Sequence, residues 1–73
     1  MPHIAIRMYP GRDDATKRKL AQEMKNTIMQ CLGVSEEVVS VSIQDVPKED
    51  WEDTMQDIAP ETIWIHNHAP KES

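Results

Sequence analysis

The residues of this chain that can do chemistry are few. Pro2 stands directly behind an initiator Met1. Once Met1 is removed, Pro2 carries a secondary amine on a rigid ring. A free α-amine titrates nearer neutrality than a lysine does. One group that accepts and returns a proton at neutral pH is enough for general acid–base chemistry. Proline is equally tolerated as the first residue of a strand, so Pro2 alone does not compel that reading. Arg12 follows Gly11 at the start of a helical pattern. A guanidinium there can grip a carboxylate through two N–H groups and steady negative charge as it develops on oxygen. As a mere surface residue it would oppose the helix dipole, which tilts the balance toward a role in a site. Trp51 offers either an apolar wall for a ligand or a packing residue at a subunit interface. His66 and His68 form an H-x-H pair that a strand would turn to one face. Only His3 is another histidine and no cysteine lies near, so these two read as a solvated tail and no metal is expected. Cys31, in the last turn of the helical pattern, reads as a small buried hydrophobe and not as a nucleophile. The acidic run from Glu49 to Asp57 reads as a solvated face. There is no Gly-rich phosphate loop and no Ser/His/Asp arrangement, and no cofactor is implied.

The chain that must position these residues is 73 residues long, one domain at most. A domain of this size buries only about 60% of the surface its unfolded chain exposes. A lone cysteine excludes an intrachain disulfide, and no Cys/His cluster suggests structural zinc. A partner subunit is the remaining route to stability, so a homo-oligomer is expected before any motif is considered. The formal net charge of -5 argues against a nucleic-acid or anionic-membrane surface. No apolar run approaches the ~20 residues of a membrane span, and MPHIAIRMYP lacks the form of a secretory signal. The composition reads as a cytoplasmic protein.

The periodicities are clear. His3 to Tyr9 alternates, with Ile4, Ile6 and Met8 on one face and His3, Ala5, Arg7 and Tyr9 on the other, as in a strand. Pro10-Gly11 ends it. Asp13 or Asp14 can cap a helix over Ala15 to Leu32, whose apolar set includes Leu20, Met24, Ile28 and Leu32 beside Ala21 and Cys31. That is roughly five turns, with Gly33 suited to the C-terminal cap. Val38 to Ile43 reads as a second strand. Strand, long helix, strand is a βαβ unit with parallel strands and a right-handed crossover. Lys48 to Asp57 reads as a short helix or turn carrying Trp51. Thr62 to His66 reads as a short edge strand that could extend a neighbouring subunit's sheet, burying Trp64, and Asn67 to Ser73 as a frayed tail. The fold class expected is α/β: a single βαβ unit that cannot cover both faces of its own sheet, completed by other copies of the chain.

The strand beginning at Pro2, the Gly11-Arg12 pair that follows it without an insertion, the long helix and the second strand together resemble the 4-oxalocrotonate tautomerase family, the N-terminal-proline tautomerases. The resemblance runs from residue 1 to a bulky aromatic after the second strand, here Trp51. There are two departures. The family's best-known members carry a second arginine in the second strand, where this sequence has Ser40. Their C-terminal segment is Gly-rich, and this one is rich in proline and acids. Both departures resemble the branch of small, dimeric bacterial tautomerases that act on phenylpyruvate-like enols.

The resemblance implies one tautomerase domain over residues 1–73, with a core at 2–51 and a C-terminal interface segment and tail at 52–73. It implies an isomerase that interconverts enol and keto forms of a small 2-oxo acid, with the amine of Pro2 as general base and acid. Arg12, Ser40 and Trp51 would contact the substrate. Burial against Trp51 and the nearby charge of Arg12 would lower the amine's pKa. With Ser40 in place of an arginine, a monocarboxylate such as phenylpyruvate should be preferred to a dicarboxylate. The assembly implied is a homo-oligomer, a dimer before a hexamer. Two alternatives remain open at this point: another proline-dependent reaction on the same scaffold (hydration, dehalogenation or decarboxylation), or a catalytically silent oligomeric binding protein.

Overall fold

A computed structural model describes residues 1–67 of the chain. Two strands, β1 (His3–Met8) and β2 (Ser40–Asp45), flank a long helix, α1 (Asp14–Leu32). A short helix, α2 (Trp51–Gln56), follows β2. The strands pair in parallel, with Ile4 opposite Val41, Ile6 opposite Ile43 and Met8 opposite Asp45. The ladder is extended at both ends: the Ser40 N–H donates to the Pro2 carbonyl at 3.2 Å, and the Val46 N–H to the Met8 carbonyl at 2.8 Å. The βαβ unit read from the periodicities is therefore present.

Local chemistry accounts for the boundaries. β1 stops at Met8 because Pro10 cannot donate to a ladder and Gly11 takes a φ of 123°, closed to most side chains. Asp13 is the N-cap of α1, its carboxylate accepting the Thr16 N–H at 2.9 Å. At the other end Gly33 sits at φ 66°, and its N–H donates to the Met29 carbonyl at 2.9 Å. The second strand begins later than the Val38 expected. Glu36–Val38 forms a 3₁₀ turn instead, in which the Val39 N–H returns to the Glu36 carbonyl at 3.3 Å. This turn re-aims the chain, and pairing begins only at Ser40.

The half-buried residues of α1 are Lys17, Leu20, Ala21, Met24, Lys25, Ile28 and Met29, a stripe at helical spacing. The helix packs against β2, and Ala21 and Lys25 of the stripe border a cleft with Val39, just before that strand, and Val41 within it. Lys17 adds an ion pair to Asp45, 2.6 Å long, tying the start of α1 to the end of β2. Two expectations fail at the last turn. Cys31 is exposed, and Leu32 is 59% exposed. The sheet does not reach that far along the helix, so these two positions are left uncovered by the described residues.

The second face of the sheet is not left wholly bare. α2 folds back across it: Arg7 donates to the Thr54 carbonyl, Tyr9 meets Trp51, and Ala5, Arg7, Trp51, Met55 and Ile58 border a cleft between strand and helix. This cover is partial and comes from outside the βαβ unit: Val46-Pro47 ends β2 and turns the acidic segment back over the sheet. The result is still thin. Among the described residues only Val39 and Val46 are buried hydrophobics. Thr62 to His66 is not a strand: Pro60–Thr62 is a 3₁₀ turn in which the Thr62 N–H and hydroxyl both donate to the Ala59 carbonyl. Trp64 and Ile65 then project outward, 92% and 89% exposed. His68, and with it the H-x-H pair and the tail beyond Asn67, lies outside the described residues. No described helix is long and apolar enough to cross a membrane.

The cap at Asp13 carries a pH signature. Hydrogen bonding from Thr16 holds its carboxyl below the ordinary aspartate range. A group whose folded pKa is depressed contributes stability above its unfolded pKa, and that contribution is lost as pH falls through the folded value. Asp13→Ala should therefore lower the thermal midpoint at pH 7, and the gap to the unsubstituted protein should close as the pH drops below ~4. Thermal melts followed by circular dichroism at both pH values check this.

Candidate active site

Two regions of the fold bring chemistry-bearing side chains together, and they lie at opposite ends of β1. The first is at the strand's start. Pro2 is half-buried, with its carbonyl locked into the ladder by Ser40. Cross-strand pairing sets His3 opposite Ser40. The His3 ring spans two serines on β2, with Nδ1 2.6 Å from the Ser40 hydroxyl and Nε2 3.0 Å from the Ser42 hydroxyl. A neutral imidazole has one donor and one acceptor nitrogen, so one serine donates to the ring and the other accepts from it. Ser40 is thus engaged with His3 beside Pro2, which its place in the second strand alone did not reveal.

The second region is at the strand's far end. Arg7, Met8, Tyr9, Arg12, Trp51 and Asn67 line an open cleft of about 360 Å³. Alternation places Arg7 and Tyr9 on the face that α2 covers. The Tyr9 and Trp51 rings meet edge to face, with centroids 5.1 Å apart and planes at 79°. Arg12 reaches the cleft from the loop before α1. It is exposed, and its one described hydrogen bond, to the Tyr9 carbonyl, is long at 3.5 Å. Arg7 is half-buried, and its Nη1 donates to the Thr54 carbonyl at 2.7 Å. A second cleft of about 290 Å³ opens alongside, lined by Ala5, Arg7, Trp51, Met55 and Ile58. The two share Arg7 and Trp51, so a cationic mouth adjoins an apolar chamber.

Arg12 and Trp51, named from the sequence, are thus brought together. Pro2 and Ser40 are not brought to them within one chain. Six strand residues separate Pro2 from Tyr9, about 23 Å over seven steps at the usual strand rise. Sequence reasoning missed Arg7 and Tyr9 as cleft residues. Their signal was the parity of β1, which sets an arginine and an aromatic ring on the same face. What was not legible was that α2 would fold onto that face.

The first 52 residues, most of the chain, match the tautomerase enzyme family. Tautomerase PptA of Cronobacter sakazakii is 38% identical over 65 residues, which cover 84% of each chain. The chain belongs to the tautomerase family. A probable tautomerase of Xylella fastidiosa is 41% identical over 51 residues, 70% of this chain but 62% of the relative, so the match spans less than two thirds of that protein's length. The 2-hydroxymuconate tautomerase of Pseudomonas putida is 35% identical over 51 residues, covering 70% of this chain and 81% of the relative. Among solved structures, one from the 4-oxalocrotonate tautomerase isozymes of Methylibium petroleiphilum superimposes with a TM-score of 0.65 at 36% identity. That match covers 68% of this chain and 81% of the other. As a tautomerase the protein is an isomerase, and the family match ends just after Trp51, at residue 52.

The aromatic contact that shapes the cleft is measurable. A double-mutant cycle between Tyr9→Ala and Trp51→Ala should give a coupling energy of about 0.5–1.5 kcal/mol, the range for edge-to-face pairs. Urea denaturation of the four proteins at fixed protein concentration supplies it.

Proposed function

We propose that this tautomerase interconverts the enol and keto forms of a small 2-oxo acid such as phenylpyruvate, with the Pro2 amine as the proton carrier. The observation that carries this reading is the placement of Pro2. Its carbonyl is held by Ser40 at the head of the sheet, while Met1 before it is 96% exposed. Removing Met1 therefore sacrifices no packing and leaves a secondary amine on an anchored ring. With Met1 attached the Pro2 nitrogen is an amide and cannot act as a base. In the reaction the amine takes the proton from the enol hydroxyl and delivers it to the adjacent carbon, regenerating itself. Arg12 would bind oxygen charge as it develops, and Trp51 would wall off the substrate's apolar body.

Because Pro2 and the Arg12 cleft occupy opposite ends of β1, the reading requires a second copy. Among the described residues both strands are sheet edges. A two-fold contact that sets one sheet edge antiparallel to another brings the head of one β1 toward the tail of its partner's. Pro2 and Ser40 of one copy then meet Arg12 and Trp51 of the other. The thin core and the exposure of Leu32, Trp64 and Ile65 support such an assembly. A dimer is the smallest closed form that satisfies it.

Two experiments follow. Retaining Met1, or adding a tag before Pro2, should abolish phenylpyruvate tautomerisation, while Pro2→Ala, with a primary amine, should keep a reduced rate; intact mass confirms the N-terminus in each case. Full activity in a mass-verified blocked protein would refute the role of the amine. Arg12→Ala should cost roughly 2–4 kcal/mol of transition-state stabilisation, read as kcat/KM. Mixing that variant with N-terminally blocked protein, after dissociation and reassociation, should restore part of the activity. Failure of the mixture to recover any would place the whole site in one chain.

A further inference from the structure

From the geometry of the cleft we infer that Arg7 is the residue that anchors the substrate's carboxylate. The inference deepens the reading above and rests on it only for the identity of the ligand. The chain has three arginines, and two of them, Arg7 and Arg12, line this cleft. Among the described residues no carboxylate lines it, in a protein with 13 acidic residues. The ion pair found among the described residues is Lys17 with Asp45, on the other side of the sheet. Arg7 is therefore a half-buried cation without an acidic partner among them. A charge withdrawn from water is costly until it meets an opposite one, and an anion entering the cleft meets that need.

The two guanidinium groups are not equivalent. Arg7 is fixed: it stands on a paired strand, is half-buried, and is held to Thr54 at 2.7 Å. That bond uses one of five N–H donors, and the rest remain for a ligand. Arg12 is exposed on a loop and tied only by a contact of 3.5 Å. A preorganised donor loses little entropy on binding, and its charge acts through a lower local dielectric. Arg7 is the better holder of a charge present throughout the reaction. Arg12, freer to adjust, is the better partner for charge that appears only on the way to product. Arg7 also forms the wall common to the cationic mouth and the apolar chamber of Met55 and Ile58. The ligand this fits has a carboxylate at Arg7 and an aromatic or alkyl body beside Trp51.

Arg7 also braces α2, so simple loss of activity on substitution would not separate anchoring from folding. The discriminating measurement is a charge preference read without turnover. Calorimetric binding of phenylacetate is compared with that of its neutral isostere phenylacetamide, for the mature protein and for Arg7→Met and Arg7→Lys. The unsubstituted protein should prefer the carboxylate by roughly tenfold or more, the worth of a hydrogen bond to a charged group. Arg7→Met should remove most of that preference, and Arg7→Lys should keep part of it. Equal weakening of both ligands in Arg7→Met would show that Arg7 only holds α2, and would overturn the proposal. So would an unchanged preference, or the absence of any preference in the unsubstituted protein. If Pro2 were not the base, the failure would appear in the activity of blocked protein and would leave this binding difference in place.

Discussion

The parallel ladder between β1 and β2 is the constraint on which the rest of the molecule depends. It runs from the Pro2 carbonyl, bonded to Ser40, to the Met8 carbonyl, bonded to Val46. Parallel strands cannot be joined by a tight turn, so the ladder obliges the long crossover that becomes α1. Because the strands run in register, it also sorts the side chains. Ile4 and Val41 go to the face that α1 covers, and His3, Arg7, Ser40 and Ser42 go to the other. Finally it sets the two chemical regions at the two ends of one strand. A hairpin carrying the same residues would have returned the chain on itself and mixed them.

Among the described residues that ladder has two strands, and this explains the economy of the core. α1 is longer than the sheet it rests on, which is why its stripe is half-buried as far as Met29 while Cys31 and Leu32 face outward. On the second face, α2 is under two turns long and covers only the tail half of β1, around Ala5 and Arg7, and Tyr9 just beyond it. The head of that face carries the His3, Ser40 and Ser42 cluster, polar and exposed. The same geometry that leaves the single chain under-packed leaves its sheet edges open, and a partner at such an edge would add to the core and unite the two regions at once.

Electrostatics within the cleft follow from the same layering. The acidic residues of the α2 segment, Glu49, Asp50, Glu52 and Asp53, are all exposed. Trp51 and Thr54, between and after them, turn inward and are half-buried. A helical period thus turns one acidic run into a charged outer face and an inner face that grips Arg7 through a main-chain carbonyl. A neutral carbonyl holds the guanidinium in place without neutralising it, whereas a carboxylate in that position would have consumed its charge. The cleft consequently stays cationic in a protein of net charge -5.

Much of this was legible in the amino-acid sequence, because it depends on neighbours along the chain. Alternation in HIAIRMY determined the strand and its two faces. The spacing of Leu20, Met24 and Ile28 determined α1, and Asp13 and Gly33 bounded it through bonds of three or four residues' reach. Pro2, Gly11, Arg12 and Trp51, in their order around one βαβ unit, identified the family. What only the tertiary structure decided involves contacts between residues far apart in sequence. Thr62 to His66 has a strand's composition, yet Ala59-Pro60 draws its first residue into a 3₁₀ turn and no described strand pairs with it. Ser40 is polar by sequence, but only cross-strand register hands its hydroxyl to His3. Arg7 is one more charge on an alternating strand until α2 comes down on that face, when Thr54 fixes it in the wall of a cleft. The periodicity of a strand states which residues share a side; it carries no information about which distant segment will cover that side, and here that segment makes the pocket.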